Sequence, residues 1–200
     1  EKLTRPDPKL RAVKDSGERL LTLFGSILEL AELESGQTPL RPELFCVDDM
    51  LDAVTRRFAA QAERAGIVLA LGTPCGTQLL GDRFSLERMA GNIVENAVRF
   101  TPRGGKVTLT TFAAADGLVL EVTDTGIGMS GRQLAALSQP FVLGDAALTR
   151  EHGGSGLGIA IARAIAELSG GRLAIDSRVG LGTTVAISLP LAGVEQAEAA

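Results

Sequence analysis

Hydrophobic residues recur along this chain with two periods, and the period divides it into helices and strands. From residue 7 to 35, Leu10, Val13, Gly17, Leu20, Phe24, Ile27 and Ala31 alternate steps of three and four. That is a heptad seam, and Leu21 and Leu28 widen it. Asp7 before Pro8 suits an N-cap followed by proline at the first helical position, and Gly36 closes the helix. A seam this wide needs cover. It packs on the domain that follows or pairs with other helices, and the break Ser35-Gly36-Gln37-Thr38-Pro39 favours pairing.

Arg41–Val47 suits a short strand. Asp48 is placed to cap a helix running to about Ala65, with Met50, Leu51, Val54 and Phe58 on its inner stripe. Ile67–Leu71 reads as a strand, residues 73–76 as a turn and Gln78–Leu80 as a short strand. Val107–Phe112 and Leu118–Thr123 are two β runs around Asp116-Gly117, a hairpin signal because glycine tolerates the positive φ of the turn. A short helix is predicted at Gln133–Leu137, a longer one at Leu157–Ser169, and strands at Leu173–Asp176 and Thr183–Leu189. Residues 138–154 lack periodicity, and a loop that long in a compact domain moves or binds something.

Between these elements, Leu86–Thr101 reads as one amphipathic helix, capped by Asp82 and ended by Pro102. Leu86, Met89, Ala90, Ile93 and Ala97 form its buried stripe, and Asn92, Glu95, Asn96 and Arg99 form a polar row beside it. A polar row next to a buried stripe lies at the edge of a cleft. Taken together the elements predict an α+β fold: a two-layer α/β sandwich whose mixed, mostly antiparallel sheet is covered by three helices, those begun by Asp48, Asp82 and Ser155. The domains expected are residues 1–36 as a helical appendage, 37–190 as the sandwich and 191–200 as a flexible tail.

Composition narrows the function. A net charge of −4 with pI near 5.1 argues against a nucleic-acid surface, which needs a basic face to track phosphates. No stretch approaches the roughly 20 apolar residues that span a bilayer, so no membrane contact and a cytoplasmic location are expected. A first residue of Glu1 and the lack of a leader pattern read as a cut-out fragment. Cys46 and Cys75 lie far apart and outside any C-x-x-C pair, which suits free thiols in a reducing compartment.

Two glycine-containing strings complete the pattern: Asp124-Thr125-Gly126-Ile127-Gly128-Met129 at a strand end, and Gly153-Gly154-Ser155-Gly156-Leu157-Gly158-Ile159 opening a helix. Either alone is a weak signal. After the Asn92/Asn96 helix, in this order, they resemble the nucleotide-binding boxes of the sensor histidine kinase catalytic domain, within the superfamily of gyrase, heat-shock chaperone and mismatch-repair ATPases. The resemblance runs from about Val13 to Pro190 and implies a Bergerat-type ATP-binding fold using ATP and Mg2+. It also makes residues 1–36 resemble the second helix of a dimerisation hairpin, implying a homodimer through that helix and a response-regulator receiver domain as partner.

The resemblance assigns the site residue by residue. Asp124 accepts the adenine amino hydrogen, Gly126 and Gly128 allow close approach, and Phe100, Ile127 and Met129 supply apolar walls. Thr183 matches a threonine near that carboxylate. Asn96 matches the amide ligand of Mg2+, a neutral oxygen suited to a hard cation already held by phosphates. Arg99 and Arg150 are phosphate candidates. Gly154, Ser155, Gly156, Leu157 and Gly158 place helix amides at the phosphates, and Phe141 matches an aromatic lid residue.

Asn92 stands where superfamily members that hydrolyse ATP carry a glutamate. An amide takes no proton at neutral pH, so water is poorly activated, whereas an imidazole needs little activation. The expected reaction is therefore transfer of the γ-phosphate to a histidine on a helix absent from this fragment, with Asn92, Glu95 and Asn96 as the catalytic set. His152 is the sole histidine and sits in the loop before the glycine string, without the fixed approach that transfer requires. Ser155, Arg178 and Ile159 depart mildly from the usual pattern. The competing readings are an ATP-hydrolysing member and a non-catalytic module that binds a response regulator.

Overall fold

The stripe on the central helix is buried along its whole length: Leu86, Met89, Ala90, Ile93 and Ala97 all lie in the core, and Val94 and Val98 broaden it. A computed structural model describes residues 8–35, 39–114, 117–137 and 156–191. Among these the elements run α1 (Pro8–Glu34), β1 (Glu43–Cys46), α2 (Val47–Ala65), β2 (Val68–Leu71), β3 (Gln78–Gly81) and α3 (Arg83–Phe100). They continue with β4 (Lys106–Ala114), β5 (Gly117–Asp124), α4 (Gly131–Leu137), α5 (Gly158–Leu168), β6 (Arg172–Arg178) and β7 (Gly182–Pro190). The predicted elements are all present, with ends moved by a few residues. The tail from 192 onward lies outside the described residues.

The main sheet has the order β2-β4-β5-β7-β6, with β2 parallel to β4 and the other pairs antiparallel. It is the mixed, mostly antiparallel sheet expected. β1 and β3 form a separate two-stranded ribbon. Alternation decides which way each strand faces. Val107 and Leu109 of β4, Leu118, Leu120 and Val122 of β5, and Val185, Ile187 and Leu189 of β7 point inward. Val47, Met50, Leu51, Val54 and Phe58 of α2, the α3 stripe, and Ile161, Ala162, Ile165 and Ala166 of α5 cover them. The opposite face carries Thr108, Thr110, Glu121, Thr123 and Thr184, as a wet sheet face should.

Two local expectations are corrected. Asp48 does not cap α2: the N-cap is Cys46, with no side-chain bond. The Asp48 carboxylate instead accepts the backbone N–H groups of Cys75 (3.1 Å) and Gly76 (2.7 Å), tying the 73–76 turn to the helix start. Gly117 is a strand residue paired with Ala114, not the turn glycine. It is needed there because a Cβ would lie 2.1 Å from the Leu189 carbonyl oxygen. Residues 115–116 lie outside the described residues.

The two faces of α1 do different things. Leu30 and Leu33, off the predicted seam, are 4% and 5% exposed and join the core, with Leu23 packed against it. Glu29 of this helix pairs with Arg88 of α3. The seam faces elsewhere, with Leu20 and Phe24 66% and 61% exposed. The end of α1 thus packs on the domain while its seam is left open.

Asp82 caps α3 as expected, its carboxylate accepting the Ser85 N–H at 3.0 Å. Because Met89 is fully enclosed where α3 meets the sheet, Met89→Ala should cost about 2–5 kcal/mol in urea unfolding. A loss below about 1 kcal/mol would show that this stripe is not what holds the sandwich together.

Candidate functional site

One ladder row at the end of the sheet builds the site. Ser177 on β6 pairs with Thr183 on β7, and Thr183 pairs with Asp124 on β5. The next inward-facing row, Ile175, Val185 and Val122, is apolar. The inner face therefore changes from hydrocarbon to polar within one step of two residues. At that step α3 has reached its last turn, so the core opens instead of closing.

A cavity lies in this opening. Asn96, Ala97, Arg99 and Phe100 line it from α3, and Val122 and Asp124 from β5. Ile127, Gly128 and Met129 form one wall, Gly156 and Ile159 another, and Ile175, Thr183 and Val185 the floor. Asp124 and Asn96, read from distant stretches of sequence, border the same space.

Asp124 is 8% exposed. Its Oδ1 accepts the backbone N–H of Gly126 at 2.7 Å and of Thr183 at 3.2 Å. Both bonds fall on Oδ1, which leaves Oδ2 for an outside donor. Burial raises the carboxyl pKa above the ordinary carboxylate range, and the two N–H bonds only partly offset this. The loop after Asp124 is pinned closely. The Ile127 N–H reaches the Phe100 carbonyl at 3.1 Å, and the Gly180 N–H reaches the Ile127 carbonyl at 2.8 Å. Gly128 has φ +63°, and a Cβ there would lie 1.9 Å from the Arg178 carbonyl oxygen. Only glycine fits that position.

Of the predicted site residues, Asn96, Arg99, Phe100, Asp124, Ile127, Gly128, Met129, Gly156 and Thr183 line the cavity. Gly126 acts behind it, through its bond to Asp124. Asn92, Glu95, Leu157 and Gly158 do not line it among the described residues. Glu95 instead holds Arg99, with Arg99 Nη2 2.5 Å from Glu95 Oε1. Leu157 is buried in the core, and a Cβ on Gly158 would meet the Asn96 amide nitrogen at 3.3 Å and Asn92 Cβ at 3.8 Å. The start of α5 thus abuts the asparagine row. Phe141, Arg150, His152, Gly154 and Ser155 lie outside the described residues.

Several residues of the site were not singled out from the sequence. Gln133 and Leu137 of α4 line the cavity, and so do Ile175 and Val185. The last two were legible in principle, because inward alternation of β6 and β7 puts them one row behind the polar end. Ser177 was missed too: its Oγ contacts Met129, Gly182 and Thr183.

A buried carboxylate over an apolar floor, with an amide row and a helix start opposite, lines one cavity of an α+β sandwich. Comparison with known proteins gives its class. The family described as Histidine kinase-, DNA gyrase B-, and HSP90-like ATPase matches residues 81–193, and the chain belongs to it. Histidine protein kinase DivJ of Caulobacter vibrioides is 36% identical over 180 residues, which are 90% of this chain and 30% of DivJ. The crystal structure of full-length ShkA in complex with AMPPNP has a TM-score of 0.79 at 27% identity, covering 97% of this chain and 41% of that one. Histidine kinase ThkA in complex with the response regulator TrrA has a TM-score of 0.72 at 18% identity, covering 96% and 53%, a likeness of fold. The chain spans roughly a fifth to a third of the length of the curated relatives it matches.

The raised pKa of Asp124 carries a sign. Because the folded state holds this proton more tightly than the unfolded one, the stability it contributes is full in acid and is lost as pH rises through the folded pKa. Asp124→Asn keeps an oxygen for the Gly126 and Thr183 N–H groups and removes the buried charge. Its melting temperature should equal or exceed that of the parent at pH 7 and depend less on pH above the ordinary carboxylate range. A large destabilisation at neutral pH would show that the charge is needed for folding.

Proposed function

We propose that this chain is the ATP-binding catalytic part of a two-component sensor histidine kinase, which moves the γ-phosphoryl group of ATP to a histidine outside these 200 residues. The observation that carries this is the shared cavity of Asp124 and Asn96. A purine needs an acceptor for its exocyclic amine and apolar surface for its faces. Asp124 Oδ2 is the acceptor. Phe100, Ile127 and Met129 are the walls, and Ile175 and Val185 the floor.

The phosphates then extend toward the asparagine row and the start of α5, where backbone N–H groups and the positive end of the helix favour anions. Arg99 is the nearby cation, held in place by Glu95. Gly154 and Ser155, outside the described residues, are assigned to the phosphates by the sequence resemblance. Phe141 and Arg150, also outside the described residues, are assigned to a nucleotide lid by the sequence resemblance alone. Among the described residues no cluster of three or more His, Cys, Asp or Glu side chains is placed to hold a metal ion. Mg2+ would be carried by the phosphates, with the Asn96 amide as its protein ligand. When bound, Mg2+ neutralises charge on the transferring phosphoryl group.

Asn92 favours transfer over hydrolysis. Asn92 cannot deprotonate water, so the nucleophile must be one that attacks without a strong base, and an imidazole is such a group. Asn92 and Glu95 act from beside the cavity, Glu95 by orienting Arg99. The open α1 seam supports residues 1–36 as half of a dimerisation hairpin, 37–190 as the catalytic domain and a homodimer through that helix. The ThkA–TrrA complex supports a response-regulator receiver domain as the downstream partner. Among the described residues no helix is long and apolar enough to cross a membrane.

The test is phosphotransfer. With an acceptor hairpin and γ-labelled ATP, the label should move to the hairpin as an acid-labile phosphoimidazole, and little free phosphate should appear without the hairpin. Steady phosphate release in the absence of acceptor, unaffected by Asn92→Glu, would identify a hydrolase instead. Binding of ATP with no transfer to the hairpin would end the kinase reading, and no binding of Mg-ATP in calorimetry would favour the non-catalytic docking module.

A further inference from the structure

We propose that Ser177 is a positioning residue that fixes the base pocket from behind its wall, an inference that rests on the ATP-binding reading above. Ser177 does not line the cavity. Its Oγ lies 2.9 Å from the Met129 backbone nitrogen, 3.0 Å from the Gly182 carbonyl oxygen and 2.9 Å from Thr183 Oγ1. A hydroxyl has one proton to give and two lone pairs to offer. All three contacts are satisfied together in one arrangement: Ser177 donates to the Gly182 carbonyl and accepts from the Met129 N–H and the Thr183 hydroxyl.

The partners explain what this arrangement does. Met129 ends the loop that forms the pocket wall, and Thr183 supplies an N–H that holds Asp124. Ser177 therefore ties the wall to the ladder row carrying the base acceptor, so the distance between wall and acceptor follows the Ser177 hydroxyl. Three other ties on this loop are between backbone groups, Thr125 N–H to the Lys106 carbonyl, Ile127 N–H to the Phe100 carbonyl and Gly180 N–H to the Ile127 carbonyl, and two use side chains nearer its start, Thr125 Oγ1 accepting the Lys106 N–H and Asp124 Oδ1 the Gly126 N–H. Ser177 is the side chain that holds the far end of the loop, at Met129. Alanine deprives Met129, Gly182 and Thr183 of a partner together, whereas threonine keeps a hydroxyl on the same strand position.

Ser177→Ala and Ser177→Thr should be compared with the parent chain by calorimetry with Mg-ATP and by amide hydrogen exchange without nucleotide. Ser177→Ala should weaken ATP binding about tenfold, equivalent to about 1.4 kcal/mol. It should also speed exchange at the Met129 amide while leaving the Val122 amide in β5 as protected as before. Ser177→Thr should restore both. Parent-like ATP affinity in the alanine variant would overturn the proposal, as would weakened binding with Met129 exchange unchanged, or faster exchange throughout β5. If the parent chain fails to bind ATP, the functional reading falls, while exchange in nucleotide-free protein still decides whether Ser177 pins the loop.

Discussion

A buried carboxylate, that of Asp124, sits where an apolar sheet face ends, and two backbone N–H groups keep it there. Burying a charge is costly unless it is hydrogen-bonded, and here the compensation is partial, so the carboxyl is left with a raised pKa. The rest of the site is arranged around that exposed cost. Gly126 turns back to supply one N–H. Register between β5 and β7 places Thr183 to supply the other. Neither bond uses Oδ2, the atom that the proposed nucleotide would engage from the cavity.

The fold supplies this geometry through two coincident endings. β5 runs out at Asp124, and α3, packed across it, runs out at Phe100, whose carbonyl caps the following loop through the Ile127 N–H. Had α3 continued, its apolar stripe would have covered the Val122, Val185 and Ile175 row and filled the cavity. Pro102, just beyond Thr101, prevents that. The same helix projects its amide row toward the start of α5. One helix therefore sets both the floor's open edge and the opposite rim.

Much of this was legible in the sequence because it rests on periodicity. The stripe and polar row of α3, the Asp82 cap and the β5 run ending at Asp124 follow from side-chain spacing and local chemistry, and the structure places them as read. What was not legible depends on register between distant strands. Nothing local says that Ser177, Thr183 and Asp124 share a row, so the Ser177 hub and the Ile175/Val185 floor went unseen. Asp48 misled for a related reason: an acidic residue before a helix reads as a cap, but its carboxylate is engaged by the Cys75 and Gly76 amides, a contact between segments. Glu95, expected in the catalytic set, is paired i to i+4 with Arg99. The α1 helix shows the limit of a seam argument: Leu30 and Leu33 lie off the heptad, and they are the residues that anchor it.

The claim on which all of this turns is that the Asp124 carboxylate recognises an exocyclic amine. Binding of ATP and of inosine triphosphate to the same chain tests it, because the two differ at purine position 6, an amine in one and a carbonyl oxygen in the other. A carboxylate acceptor should favour ATP by at least about tenfold, since the inosine oxygen would face a negative charge instead of a hydrogen-bond partner. Equal affinity for the two nucleotides would mean that the base does not sit against Asp124, and the account of this site would be wrong.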